Sequence, residues 1–214
     1  MSYEKYYSCI PVAETKGASC PAGYDFQVIT SNVDEVITME KPDEIAKSLS
    51  SQKAEDVFNI IMDRYGNNHI EDYVVIGADT VVSVDGELLG KPKDKEDAVR
   101  MIRLIQGRKH QVFTGVTLVS MAEGKPASIS FHECAEVDVY PMADEEIASY
   151  VNCESVLKTN SDLQTEVHYD WADKAGGYGI QGTFARYIKG INGDYYNVVG
   201  LPIAHLHQEL KNIV

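Results

Sequence analysis

The chain has 214 residues, of which 44% are hydrophobic and 24% charged, with 16 Gly and 7 Pro; this balance suits a globular protein with a buried core and excludes fibrous, coiled-coil and disordered classes. A formal net charge of -14 opposes nonspecific binding to nucleic-acid backbone, where affinity comes from Lys and Arg neutralising phosphates. No run approaches the roughly 20 apolar residues of a membrane span, and the opening "MSYEKYYSCIPVAETKGASC" has no apolar leader segment, so a cytoplasmic protein is expected.

In chain order, alternation predicts a strand at Phe26 to Thr30, and the polar "VDEVITMEKPDE" that follows reads as a loop leading into a helix. From Asp43 to Tyr65 the residues Ile45, Leu49, Val57, Ile60 and Ile61 recur at helical spacing, with Gly66 as the stop. Tyr73 to Gly77 and Thr80 to Val84 are rich in β-branched residues and read as strand, interrupted by small residues; Asp85-Gly86 is a two-residue hairpin signal that returns the chain through "ELLG". Asp94 caps a helix whose Ala98, Met101, Ile102 and Ile105 share a face, and Gly107 ends it.

"HQVFTGVTLVS" and "SISFHECAEVDVY" are long strand candidates joined as a hairpin, with Ile129, Phe131, Ala135, Val137 and Val139 on one face of the second. A short helix follows around Asp144 to Val151. The polar stretch from Asn152 to Ala172 has weak periodicity and reads as a loop or insertion. The Gly-rich "DKAGGYGIQG" leads into a predicted strand at Phe184 to Ile188, a turn at "NGD" and a closing helix from Ile203 to Ile213. Strands and helices mix without regular βαβ alternation, which predicts an α/β fold with a mixed β-sheet, flanking helices and a single domain over residues 1–214. Cys9, Cys20, Cys134 and Cys153 lack both C-x-x-C spacing and a companion His at zinc-finger distance, so they are expected as reduced thiols.

The residue out of place is Asp79, next to Thr80 in an apolar run, because an ionised carboxylate there needs hydrogen bonds, a metal or a chemical task. Gly77 and Ala78 before it are small enough to let a ligand approach the backbone. A structural carboxylate satisfied by backbone amides is the competing account. Lys91 precedes Pro92, which holds its backbone extended. Lys53 interrupts the helical pattern between Leu49 and Val57, and either crosses to the core side or snorkels. Lys174, near Tyr178 and Gln181, belongs to a Gly-rich segment that is either a plain turn or a wrap of backbone donors around an anion.

Taken together, "GADTVV", "GKPKDKEDAVRMIRLIQGRKHQVFTGV", "DKAGGYGIQG" and "GDYYNVVGLP" resemble, in order and spacing, the Maf family of nucleoside triphosphate pyrophosphatases. The resemblance runs from about Tyr24 to the C-terminus. It implies two lobes around a nucleotide cleft, a homodimer, and a metal-assisted hydrolysis in which water attacks the α-phosphorus and pyrophosphate leaves. By the same resemblance Asp79 is the proton acceptor, and Glu35 with Asp79 holds a divalent cation, Mg or Mn. Lys53 and Lys91 match positions that hold phosphates, and Lys174, in the Gly-rich segment, is expected to bind substrate with them. Thr80 and Gln181 match the branch acting on dTTP and UTP, where an amide can pair with the donor-acceptor edge of a pyrimidine.

The chain departs from the family at its beginning. Members usually carry a motif close to S-x-S-P-R-R whose serine and arginines grip phosphate; here the first arginine is Arg64 and "GASCPAG" only partly matches. Bidentate arginine is a strong phosphate ligand. A non-catalytic nucleotide-binding or dimer-partner protein is therefore the alternative to an active hydrolase.

Overall fold

The computed structural model describes residues 5–8, 26–65, 73–122, 124–157 and 166–213. Cys9, Cys20, the "GASCPAG" segment and the helix stop at Gly66 lie outside them. In chain order the elements are β1 (Lys5–Ser8), β2 (Phe26–Val28), α1 (Pro42–Tyr65), β3 (Tyr73–Val84), β4 (Glu87–Leu89), α2 (Lys95–Ile105), β5 (Lys109–Ala122), β6 (Lys125–Val139), α3 (Asp144–Val151), β7 (Glu154–Leu157), β8 (Glu166–Tyr169), β9 (Ile188–Asn192), α4 (Tyr195–Val199) and α5 (Ile203–Asn212). The main sheet has the order β2-β1-β3-β5-β6-β9, with β4 paired to β3. Its β1 runs parallel to β2 and β3, whereas β4 and β9 pair antiparallel, so the sheet is mixed as the pattern predicts. Among the described residues no helix is long and apolar enough to cross a membrane.

The chain forms two compact units, Met1–Thr80 with Thr114–Glu133 and Gly200–Val214, and Val81–Phe113 with Cys134–Val199. In the first, the period of two along the strands divides the core. Val75 and Val119 pack on Ala54, Val57, Phe58 and Ile61 of α1, while Ile76, Ala78, Val116 and Leu118 pack on Leu206 and Leu210 of α5. In the second, Ala98, Met101, Ile102 and Ile105 of α2 are buried among Val82, Val84, Val137, Val139, Tyr150 and Phe184. The predicted cap of α2 is present, with the Asp94 carboxylate accepting from the Asp97 N–H at 2.8 Å. The β3–β4 hairpin also forms as predicted: Asp85 and Gly86 have φ of 49° and 83°, and Val84 faces Glu87.

Three expectations are corrected. First, β3 is continuous through Gly77 and Ala78, because pairing within the sheet outweighs the weak strand preference of small residues. Second, the stretch 152–172 contains β7 and β8, which pair antiparallel from Glu154↔Tyr169 to Leu157↔Glu166; four-residue strands are too short to print a clear period. Third, Thr183–Tyr187 is a 3-10 helix and strand β9 starts only at Ile188. Phe184 and Tyr187, both buried, are three residues apart and thus share a face of a 3-10 turn. That turn is started by Asp170, whose Oδ2 accepts from both N and Oγ1 of Thr183 at 2.9 Å.

Candidate functional site

The first unit places α1 unusually close to the sheet. Ala46, Ser50 and Ala54, four residues apart and all fully buried, form a stripe of small side chains facing Gly115 and Gly77. A Cβ added at Gly115 would overlap the Ala46 carbonyl group, and one at Gly77 would overlap the Ser50 carbonyl oxygen and lie 2.8 Å from the Ala54 Cβ. Gly77 therefore serves the approach of a helix to the strand, and the expectation that it admits a ligand is corrected. Ser50 Oγ adds a buried hydrogen bond to Thr117 Oγ1 at 2.8 Å.

That contact sets the depth from which Lys53 reaches Asp79. Because Val75, Gly77 and Asp79 share one face of β3, the carboxylate points to the same side as α1. Lys53 crosses to this side and ion-pairs with Asp79 Oδ1, and its Nζ also lies 3.0 Å from Glu35 Oε1. The exposed fractions of the side chains are 11% for Lys53, 15% for Asp79 and 45% for Glu35, so the pair is sheltered and Glu35 forms its open side. Burial alone would lower the pKa of the Lys53 ammonium, but the Asp79 charge and hydrogen bond, with Glu35 adding to them, raise it.

Thr80 does not join this cluster. As the next residue of β3 it projects to the other face, where its Oγ1 shares a hydrogen bond with Thr114 Oγ1 at 2.9 Å. A Cβ at Gly200 would lie 3.5 Å from that oxygen. Thr114, which bonds Thr80, and Gln52 and Asp56, which flank Lys53 on α1, are residues that the sequence reading passed over. The first was hidden because only strand pairing brings Thr114 to Thr80. The other two carried a faint signal, polar residues four apart around Lys53.

The second unit holds Lys91, Lys174 and Gln181. The Gly-rich segment is pinned from several sides: Gly176 N donates to Gly90 O at 3.0 Å, and Tyr150 Oη donates to Gly177 O at 3.1 Å. Gly176 and Gly177 both have positive φ, 72° and 76°, and added Cβ atoms would meet Val82 at 3.0 Å and Pro92 at 3.3 Å, which is why glycine is required there. These contacts bring the segment carrying Lys174 beside "GKP", which carries Lys91. Lys174 Nζ pairs with Asp173 Oδ2 at 2.7 Å, and Lys91 is exposed. Gln181 stands exposed at the turn closed by Gly182 N donating to Gly179 O at 3.1 Å. Tyr178 anchors the segment through a 2.7 Å hydrogen bond between its hydroxyl and His110 Nε2.

The donor set suits a hard cation. Glu35 and Asp79 already direct carboxylate oxygens at one positive charge, the Lys53 ammonium. Among the described residues no group of three or more His, Cys, Asp or Glu converges as a closed cage. Two carboxylates with the remaining positions left to water and phosphate is the pattern of a Mg or Mn site used with nucleotides.

Comparison with known proteins gives a consistent answer. The family model described as Maf-like protein matches residues 20–213. The chain is 43% identical over 197 residues to a dTTP/UTP pyrophosphatase of Agathobacter rectalis, covering 89% of this chain and 88% of that protein. It is 41% identical to a dTTP/UTP pyrophosphatase of Carboxydothermus hydrogenoformans, over 87% and 86% of the two chains, and 38% identical to one of Bacillus cereus, over 89% and 85%.

Proposed function

The chain belongs to the Maf-like protein family, and on that premise we propose that it hydrolyses dTTP or UTP to the nucleoside monophosphate and pyrophosphate. The observation that carries this reading is the cluster of Glu35, Lys53 and Asp79, in which one ammonium meets two carboxylates where α1 faces strand β3. In the proposed reaction a water oxygen bonds to the α-phosphorus, the bond from that phosphorus to the bridging oxygen breaks, and Asp79 takes the water proton. When bound at Glu35 and Asp79, Mg or Mn supplies charge neutralisation to the phosphate oxygens.

Lys53, Lys91 and Lys174 provide the positive charge for the triphosphate in a chain whose first arginine is Arg64. Thr80 and Gln181 select the pyrimidine, Gln181 through an exposed carboxamide able to donate and accept. A cytoplasmic homodimer acting as a single functional domain completes the reading.

The test is pyrophosphate release from each common nucleoside triphosphate with Mn2+ or Mg2+ present. The highest kcat/KM is expected for dTTP and UTP. Asp79→Asn should lower kcat at least about 100-fold while the chain stays folded by circular dichroism. Nucleotide binding by the unaltered chain without pyrophosphate release would overturn the proposal in favour of a non-catalytic binding protein.

A further inference from the structure

Residues 29–40 form no helix or strand, yet α1 holds residues 31–36 at two points. Asp56 Oδ2 accepts from Ser31 Oγ at 2.7 Å and from Asn32 N at 3.0 Å, and Ser31 Oγ in turn accepts from Val33 N at 3.3 Å. One helical turn earlier, Gln52 treats Val36 as a strand would: its Oε1 accepts from Val36 N and its Nε2 donates to Val36 O, both at 2.9 Å. Ser48 Oγ, 3.2 Å from Gln52 Nε2, steadies the carboxamide from the helix side. Between the two ties lies Glu35, whose Oε1 reaches Lys53.

The arrangement has a physical consequence for Glu35. Its side chain is long and 45% exposed, and on a free loop both backbone and rotamer freedom would have to be given up whenever it took a ligand. Fixing the backbone on either side removes the backbone part of that cost in advance, which is how preorganisation raises affinity without a new contact to the ligand. Gln52, Lys53 and Asp56 come from consecutive turns of one helix, so the same rigid element sets the Glu35 backbone and presents the ammonium to both carboxylates.

We propose that Gln52 and Asp56 are positioning residues that preset Glu35 for the divalent cation. The inference rests on the proposed role of Glu35 in holding that cation. Neither residue touches the reacting atoms; each acts through the backbone of residues 31–36.

The experiment measures Mn2+ affinity of the full chain, from the electron paramagnetic resonance signal of the free ion, without nucleotide or turnover. Gln52→Leu and Asp56→Ala should each weaken binding by about tenfold, the scale set by groups that orient metal ligands. Asp56→Asn removes the charge but keeps the acceptor for Ser31 and Asn32, and should bind Mn2+ as the unaltered chain does. Gln52→Glu keeps only the acceptor for Val36 N and should fall between the two; it also serves if Gln52→Leu does not fold. If Glu35→Gln weakens Mn2+ binding but Gln52→Leu, Gln52→Glu and Asp56→Ala do not, the positioning role is overturned and the cation site stands. If Asp56→Asn loses as much as Asp56→Ala, the effect is one of charge and the inference fails. If Glu35→Gln itself binds Mn2+ normally, the reading of Glu35 fails first.

Discussion

Lys53 keeps an ammonium largely out of water with carboxylates on two sides, and the balance of such a group depends on its partners. Removing one member of a sheltered pair leaves the other desolvated without compensation, which costs more than the intact pair contributes. Lys53→Met should therefore lower stability by about 2 kcal/mol, seen in urea as a lower midpoint with an unchanged slope. The same variant should lose at least about tenfold in kcat, because Glu35 and Asp79 then repel each other and the substrate phosphates. Equal stability and activity would remove Lys53 from the site. The sequence left this residue undecided because position 53 faces the core side between Leu49 and Val57, yet a lysine there can also snorkel. Only the presence of Asp79 opposite decides it. Thr80 is the converse case: it follows Asp79 in sequence, yet the alternation of a strand sends the two side chains to opposite faces.

At the scale of elements, the seating of α1 against β3 and β5 joins stability to chemistry. The stripe of Ala46, Ser50 and Ala54 has the helical spacing of a packing face, but its small size has meaning only against Gly77 and Gly115, which are distant in sequence. Gly115→Ala should destabilise the chain by about 3 kcal/mol, since backbone must move to make room. Because α1 would then stand off the sheet, Lys53 and Gln52 would shift relative to Asp79. The folded fraction should thus lose activity as well, measured as kcat per folded molecule after urea titration; full activity in the folded fraction would separate the packing from the site. Hairpin β3–β4 and helix α2 were legible because their signals, Asp85-Gly86 and the Asp94 cap, act within a few residues. The 3-10 turn at Thr183–Tyr187 was not, because it is started by Asp170 from a separate segment.

At the scale of the whole molecule, folding buries a titratable group that the proposed chemistry does not use. His110 is 2% exposed, with Nε2 bonded to the Tyr178 hydroxyl and Nδ1 buried without a hydrogen-bond partner among the described residues. Burial lowers its pKa from 6.5 to about 4. Between those values the unfolded chain takes up a proton that the folded chain refuses, so stability is full above pH 6.5, declines as pH falls, and levels off once both states are protonated near pH 4. The loss from this group should be about 3 kcal/mol. Denaturation at pH 7 and pH 4 should show that component in the unaltered chain and not in His110→Gln; an equal drop in both would assign the acid sensitivity to other groups. Tyr178 belongs to the Gly-rich segment, so the same acidification should loosen the anchoring of Lys174 and Gln181.

What the sequence by itself determined is what neighbours along the chain can enforce: the mixed α/β class, the long helix α1, the hairpin, the capped helix, and the order of motifs that marks the family. It also marked Asp79, because an acid in an apolar strand stands out against its own neighbours. What only the tertiary structure decided is which groups meet. The ion pairs of Lys53, the face taken by Thr80, the stripe seated on two glycines and the two ties on residues 31–36 all depend on segments far apart in sequence being brought within hydrogen-bond reach. Periodicity reports which side of an element is buried, and only packing reports against what.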